Sequence, residues 1–154
     1  MEAHVLIALH LLSAVVWVGG MVFARLALRP SIAALGLGVL EPAQRVAVLM
    51  QVWRRFFLLV WHAMPILLIT GEVMIFRVLG GYAHVGWPIH AMHALGDLMA
   101  VLFVFIFFVP WRAMRRAVAA GDAALAITSA ERIFALTGVN LLLGLLTLLV
   151  AAFS

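Results

Sequence analysis

The chain reads as an all-α integral membrane protein. The expected architecture is an up-down-up-down bundle of four helices, with an amphipathic cytoplasmic connection between the first two. Three observations predict it. Hydrophobic residues fill 68% of the 154 positions and charged residues only 10%, with a mean hydropathy of +1.24, more apolar side chain than a soluble domain of this size has interior to hold. The apolar residues gather in four stretches near the roughly 20 residues needed to span a bilayer. The arginines gather in two of the three connections. In lipid each stretch must be helical, because an isolated strand leaves its backbone polar groups unpaired.

The first stretch runs from Ala3 to Leu28. It lacks a basic leading segment and a small-residue cleavage pattern, so it reads as a retained helix and not as a cleavable signal. The connection that follows opens with Pro30 and contains Gly36, Gly38 and Pro42. Beyond Pro42, the residues Val46, Leu49, Met50 and Trp53 recur at helical spacing among Gln44, Arg45 and Gln51. That pattern predicts an amphipathic helix on the inner membrane surface, or an extension of helix two. Helix two spans Trp53 to Leu79. A Gly-rich loop, Gly80 to Gly86, leads to helix three, Trp87 to Trp111. Helix four runs from Arg132 to Phe153, approached by a short polar turn at Gly121 and Asp122, with Asp122 a candidate cap. No boundary divides residues 1–154, which read as one four-helix domain.

All basic residues are arginine. Arg25, Arg29, Arg45, Arg54 and Arg55 lie around the first connection, and Arg112, Arg115, Arg116 and Arg132 around the third. Positive charge favours the cytoplasmic side. Both connections therefore face the cytoplasm and both termini face outward, in a bacterial-type cytoplasmic membrane. The net charge of +4 follows from these connections and calls for no nucleic acid. The absence of cysteine excludes disulfides, thiolate ligands and c-type haem attachment. No phosphate-binding loop and no His-Glu-x-x-His zinc motif is present.

Ionisable groups inside a membrane are costly and mark functional sites. At the helical rise, His10 lies roughly 9–10 Å below the outer end of helix one and His93 roughly 8–9 Å below Trp87. Helices one and three are diagonal partners in such a bundle, so the two imidazoles fall at matched depth. Two opposed histidines are the axial set of a b-type haem. Asp97 follows His93 by four residues and shares its face; Glu72 lies on the outer half of helix two. Asp97 is a candidate to orient the imidazole or relay a proton; Glu72 is a candidate to handle a proton, or to pair with Arg77 five residues on. Arg77 is the basic residue near that level and a partner for a haem propionate, with snorkelling as the plain alternative. His90 can replace His93 or sit at headgroup level. His62 lies in the inner half, either a second haem ligand (with Met21 the nearest thioether by depth) or a side chain bonded to a backbone carbonyl. Asn140 can join the polar path or bond between helices. The tryptophans read as belt or packing residues.

The run Leu9-His10-Leu11-Leu12-Ser13-Ala14-Val15-Val16-Trp17-Val18-Gly19-Gly20-Met21 closing with Arg29-Pro30, then Arg55-Phe56-Phe57, Thr70-Gly71, His90-Ala91-Met92-His93-Ala94-Leu95-Gly96 and Asn140-Leu141-Leu142-Leu143-Gly144-Leu145, resembles the membrane domain of CopD-like copper-resistance proteins over nearly the whole chain. More distantly, His10, Trp17 and Gly20 resemble the first helix of the HemJ-type protoporphyrinogen oxidases, small four-helix proteins that bind haem b. The chain lacks the lysine of their third helix, and Asn140 is followed by Leu141 where they carry Asn-Glu-x-Pro. That resemblance therefore implies haem at His10 more than it implies the oxidase reaction.

The expected function is a haem b protein moving single electrons, with His10 and His93 as ligands and a quinol or redox protein as partner. The first alternative is copper handling at His90, Met92 and His93, although Met92 and His93 point in different directions on a helix; others are an oxidase-like enzyme and an accessory subunit whose histidines only pack. The bilayer is the surrounding solvent, and a homodimer is compatible with so small a bundle.

Overall fold

A computed structural model describes residues 2–36 and 38–153 of the chain. Four helices are long and apolar enough to cross a membrane: α1, Glu2–Leu35; α2, Pro42–Arg77; α3, Trp87–Ala119; and α4, Ala123–Ala151. The protein is all-α and multi-pass among the described residues.

All four helices run further than their apolar cores. α1 continues past Leu28 through a π-turn at Ala24–Leu28, where the Arg29 amide reaches back to Ala24 O. The wider turn admits Pro30 at the start of the next helical stretch, where its missing N–H leaves nothing unpaired. A second π-turn, Phe107–Trp111, absorbs Pro110 in α3. α2 is one helix of 36 residues, about 54 Å long at the helical rise, so the amphipathic connection is largely an extension of helix two. Its start is written locally: Pro42 takes the first turn, and Gln44 Oε1 accepts the Glu41 amide at 2.9 Å, half of a capping box. α4 begins nine residues ahead of Arg132, capped by Asp122 Oδ1, which accepts from Leu125 N at 2.8 Å. The loop after α2 turns on Gly80 and Gly81, with φ of 80° and 97°, a region open to glycine without penalty.

α1 lies along α2, and α3 along α4; α4 also touches α1 and α2, while α1 and α3 share little backbone contact. Both described termini and the α2–α3 loop therefore lie at one end of the bundle, here the terminal end. The arginine-bearing connections lie at the other. One chain of rings links all four helices. Trp53 of α2 meets Phe134 of α4 at 4.9 Å between centroids and Phe57 at 5.9 Å. Phe57 meets Phe103 of α3 at 5.9 Å, and Phe103 meets Trp17 of α1 at 6.0 Å. Such pairs contribute about 0.5–1.5 kcal/mol each beyond the area they bury. Glycines let the backbones close on this layer: a Cβ at Gly20 would stand 3.1 Å from Phe56, and one at Gly144 3.2 Å from Val18. Trp17, Trp53 and Trp111 are buried packing residues, whereas Trp87, 66% exposed, is placed to serve as a belt residue.

The opposite faces carry the apolar side chains that meet lipid, among them Val15 and Leu142. At the arginine-bearing end, Arg29 of α1 donates through Nε and Nη2 to Glu131 Oε2 of α4 at 3.1 and 3.0 Å. Inside the bundle, Trp17 Nε1, Trp53 Nε1, Thr137 Oγ1 and Asn140 Oδ1 are buried without a protein hydrogen-bond partner, each an atom whose desolvation costs about 1–3 kcal/mol if left unpaired.

Trp53 is fully buried at 0% exposure and Leu142 is 67% exposed. Trp53→Ala is expected to lower stability by about 3–5 kcal/mol through the cavity it opens, and Leu142→Ala by about 0.5 kcal/mol or less. Reversible unfolding in mixed detergent micelles measures both.

Candidate functional site

The half of α2 toward the terminal end presents different chemistry on successive faces. Thr70 Oγ1 donates its one hydrogen to the Ile66 carbonyl at 2.6 Å, with the Leu67 carbonyl at 3.1 Å. It can then only accept from His10 Nδ1, which stands 3.1 Å away. The contact fixes the His10 tautomer: hydrogen on Nδ1, lone pair on Nε2. Gly71 makes room for the ring, since a Cβ there would lie 3.3 Å from His10 Cε1.

Glu72 stands two residues beyond Thr70, about 200° around the helix. It meets a different set of groups. His93 Nε2 of α3 lies 3.2 Å from Glu72 Oε1 and 3.3 Å from Asp97 Oδ2. Tyr82, from the short 3-10 turn Tyr82–His84 in the loop, donates to Glu72 Oε1 at 2.8 Å and sits 3.1 Å from His93 Nε2. With the phenol hydrogen directed to Glu72, the hydrogen on His93 Nε2 is shared among the phenol oxygen and two carboxylates. The His90 ring stacks on Tyr82 at 5.7 Å. Elements α2, α3 and their loop thus converge on one polar cluster at the terminal end.

The cluster unites Glu72, His93, Asp97 and, through Tyr82, His90. It does not include His10, which lies on the Thr70–Gly71 side of α2 with His93 on the Glu72 side. The two imidazoles expected to oppose one another occupy different faces of α2, because α1 packs along α2 and α3 along α4. His62 is exposed on the lipid side, its Nδ1 2.7 Å from the Leu58 carbonyl one turn back. Arg77 lines a groove between the ends of α1 and α2 with Glu2, Ala3, Val5, Leu6, Val73 and Val78. Among the described residues no ion pair joins it to Glu72. Tyr82 was not a candidate in the sequence. Its signal was a lone tyrosine in a glycine-rich loop between the helices that carry Glu72 and Asp97.

The cluster does not form a metal cage. Among the described residues no three His, Asp or Glu side chains take up a metal-holding arrangement. The geometry gives the reason: the carboxylates are aimed at the His93 nitrogen and not at a common empty point. An ion entering here has to displace the Nε2 hydrogen. At His10 the fit is different, since Nε2 keeps its lone pair and Nδ1 is held from behind, as metal-bound imidazoles usually are.

Residues 50–154 match the family described as copper resistance protein D, CopD. The chain belongs to the CopD family. No curated protein and no solved structure matches it. The CopD match contains Glu72, Tyr82, His90, His93 and Asp97 and begins after His10, so the polar cluster lies wholly in the matched part of this copper-resistance family member.

Partial burial, then the hydrogen bond to Glu72 and the negative charge of Glu72 and Asp97, push the Tyr82 phenol up from 10.0 to about 12. Each cause favours the neutral phenol. The associated stabilisation is complete below pH 10 and is lost as pH rises toward 12. Tyr82 is the single tyrosine, so ultraviolet difference absorbance reads its titration directly. Glu72→Gln is expected to move the midpoint down toward the ordinary value, and an unmoved midpoint contradicts the bond.

Proposed function

We propose that this CopD-family membrane protein serves copper homeostasis. In this reading copper is met at the outer face of the cytoplasmic membrane, with both termini and the Tyr82 loop outward, as the arginine distribution favours. The observation that carries the reading is the Glu72–Tyr82–His93–Asp97 cluster in the part of the chain that matches the family. Imidazole with oxygen donors suits copper(II). Binding at His93 Nε2 requires that nitrogen's lone pair, so the imidazole hydrogen passes to Nδ1 through solvent as the ion enters. Glu72 and Asp97 balance the charge, and Tyr82 holds Glu72 toward His93. Such an open set suits an ion in passage more than one permanently stored. Redox partners, quinol and a dimeric state are not needed for this step.

A second reading is favoured by one observation, the free Nε2 of His10 behind its Thr70 contact. In that reading the protein binds haem b through His10 and moves single electrons. The haem would supply the redox chemistry, Thr70 fixes the imidazole, and Arg77 pairs with a propionate.

The test separates them. Cells carrying the wild type, His93→Ala, Tyr82→Phe or His10→Ala are compared for copper content by mass spectrometry, and the purified proteins for copper affinity and visible spectrum. Copper handling is expected to be lost in His93→Ala and kept in His10→Ala, with Tyr82→Phe weakening affinity about 10–100-fold as an orienting contact. A haem Soret band lost only in His10→Ala, with copper unaffected by His93→Ala, overturns the copper reading in favour of haem.

A further inference from the structure

The centre of the bundle carries polar atoms that neither functional reading uses. Thr137 and Asn140 are three residues apart on α4 and share a face. Both are buried, and Thr137 Oγ1 and Asn140 Oδ1 have no protein hydrogen-bond partner. Phe134, one turn before Thr137, rests on Trp53, whose Nε1 is also unpartnered. Gly144, one turn beyond Asn140, faces Val18 and Met21 of α1, and Trp17, adjacent to Val18 in sequence, is the fourth unpartnered group. The rings of Phe57 and Phe103 join the two indoles. All four groups are buried in the one core, Thr137 and Asn140 on the α4 face that also carries Phe134, and the two indoles on α1 and α2.

Their chemistry is mixed. Two indole N–H groups can only donate, an amide oxygen can only accept, and a hydroxyl can do both. An anion would suit the indoles and be repelled by the amide oxygen; a cation would do the reverse. Water both donates and accepts, and buried water in proteins is held by such otherwise unsatisfied groups. Leaving all of them unpaired would be a severe burden on a bundle whose interior is otherwise apolar.

We propose that ordered water occupies the core between α4 and the α1–α2 pair, bonded to Trp53 Nε1, Thr137 Oγ1, Asn140 Oδ1 and Trp17 Nε1. The bundle then holds hydrated polar groups inside its aromatic core. Trp17 lies seven residues beyond His10 along α1, two turns deeper, so this water is separate from both the His93 cluster and the His10 contact.

The test uses the full chain in phospholipid vesicles with isotope-labelled tryptophan and isoleucine, and solid-state magnetisation transfer from water. The Trp17 and Trp53 indole N–H groups are expected to receive water magnetisation as quickly as exposed Trp87. They should do so several-fold faster than the methyl groups of Ile133, buried at 0% exposure. Asn140→Leu and the near-isosteric Thr137→Val are each expected to slow transfer to the indoles, with helix content confirming the fold. Transfer to both indoles as slow as to Ile133 overturns the proposal, as does transfer unchanged in both variants.

Discussion

In lipid no hydrophobic force draws helices together, because an apolar side chain is as well solvated by acyl chains as by another helix. Association has to come from shape and close packing, and here it comes from the aromatic chain Trp17–Phe103–Phe57–Trp53–Phe134, which touches all four helices. The rest of the structure depends on it. It crosses between the α1–α2 pair and the α3–α4 pair and holds the two together, leaving the leucine-rich faces to the bilayer.

That arrangement gives α2 its two chemistries. Thr70 is bonded to its own helix and therefore turns its oxygen lone pair to His10, while Glu72, around the helix, draws His93 and Tyr82. Neither group works alone. A carboxylate at the edge of a low-dielectric region needs donors, and Glu72 has two, the Tyr82 phenol and the His93 imidazole. The glycine turn that sends the loop back over α2 is what lets the phenol reach. A single loop tyrosine thereby ties the loop to α2 and α3 at the terminal end.

The four spans were legible because twenty apolar residues leave few alternatives. Their ends were not. Arg25, Arg29 and Pro30 read as the end of helix one, yet a π-turn accommodates the proline and α1 runs on to Leu35. Helix four was expected to begin at Arg132, yet Glu131 lies inside α4 and answers Arg29 across the bundle. The capping signals at Glu41–Pro42–Gln44 and at Asp122 were present in the sequence and mark the true starts. Depth along a helix was readable from the rise: His10 meets Thr70 and His93 meets Glu72, two residues apart on α2. Azimuth was not. Which face of α2 each histidine meets depends on which helices are neighbours, and a hydropathy pattern does not encode that choice. Asp97 and Glu72 could be named as partners of His93 from spacing and depth; Tyr82 could not, because its reach depends on the loop's backbone turn.

In the copper reading proposed above, one imidazole among oxygen donors, and not an opposed pair of histidines, faces the ion. The most direct measurement is the electron paramagnetic resonance spectrum of the purified protein with copper(II) at one equivalent, using nitrogen-labelled histidine to resolve coupling to the ion. Coupling to a single histidine nitrogen, abolished in His93→Ala and kept in His10→Ala, is the expected result. Coupling to two equivalent histidine nitrogens, lost in either variant, would contradict it and restore His10 and His93 as a pair.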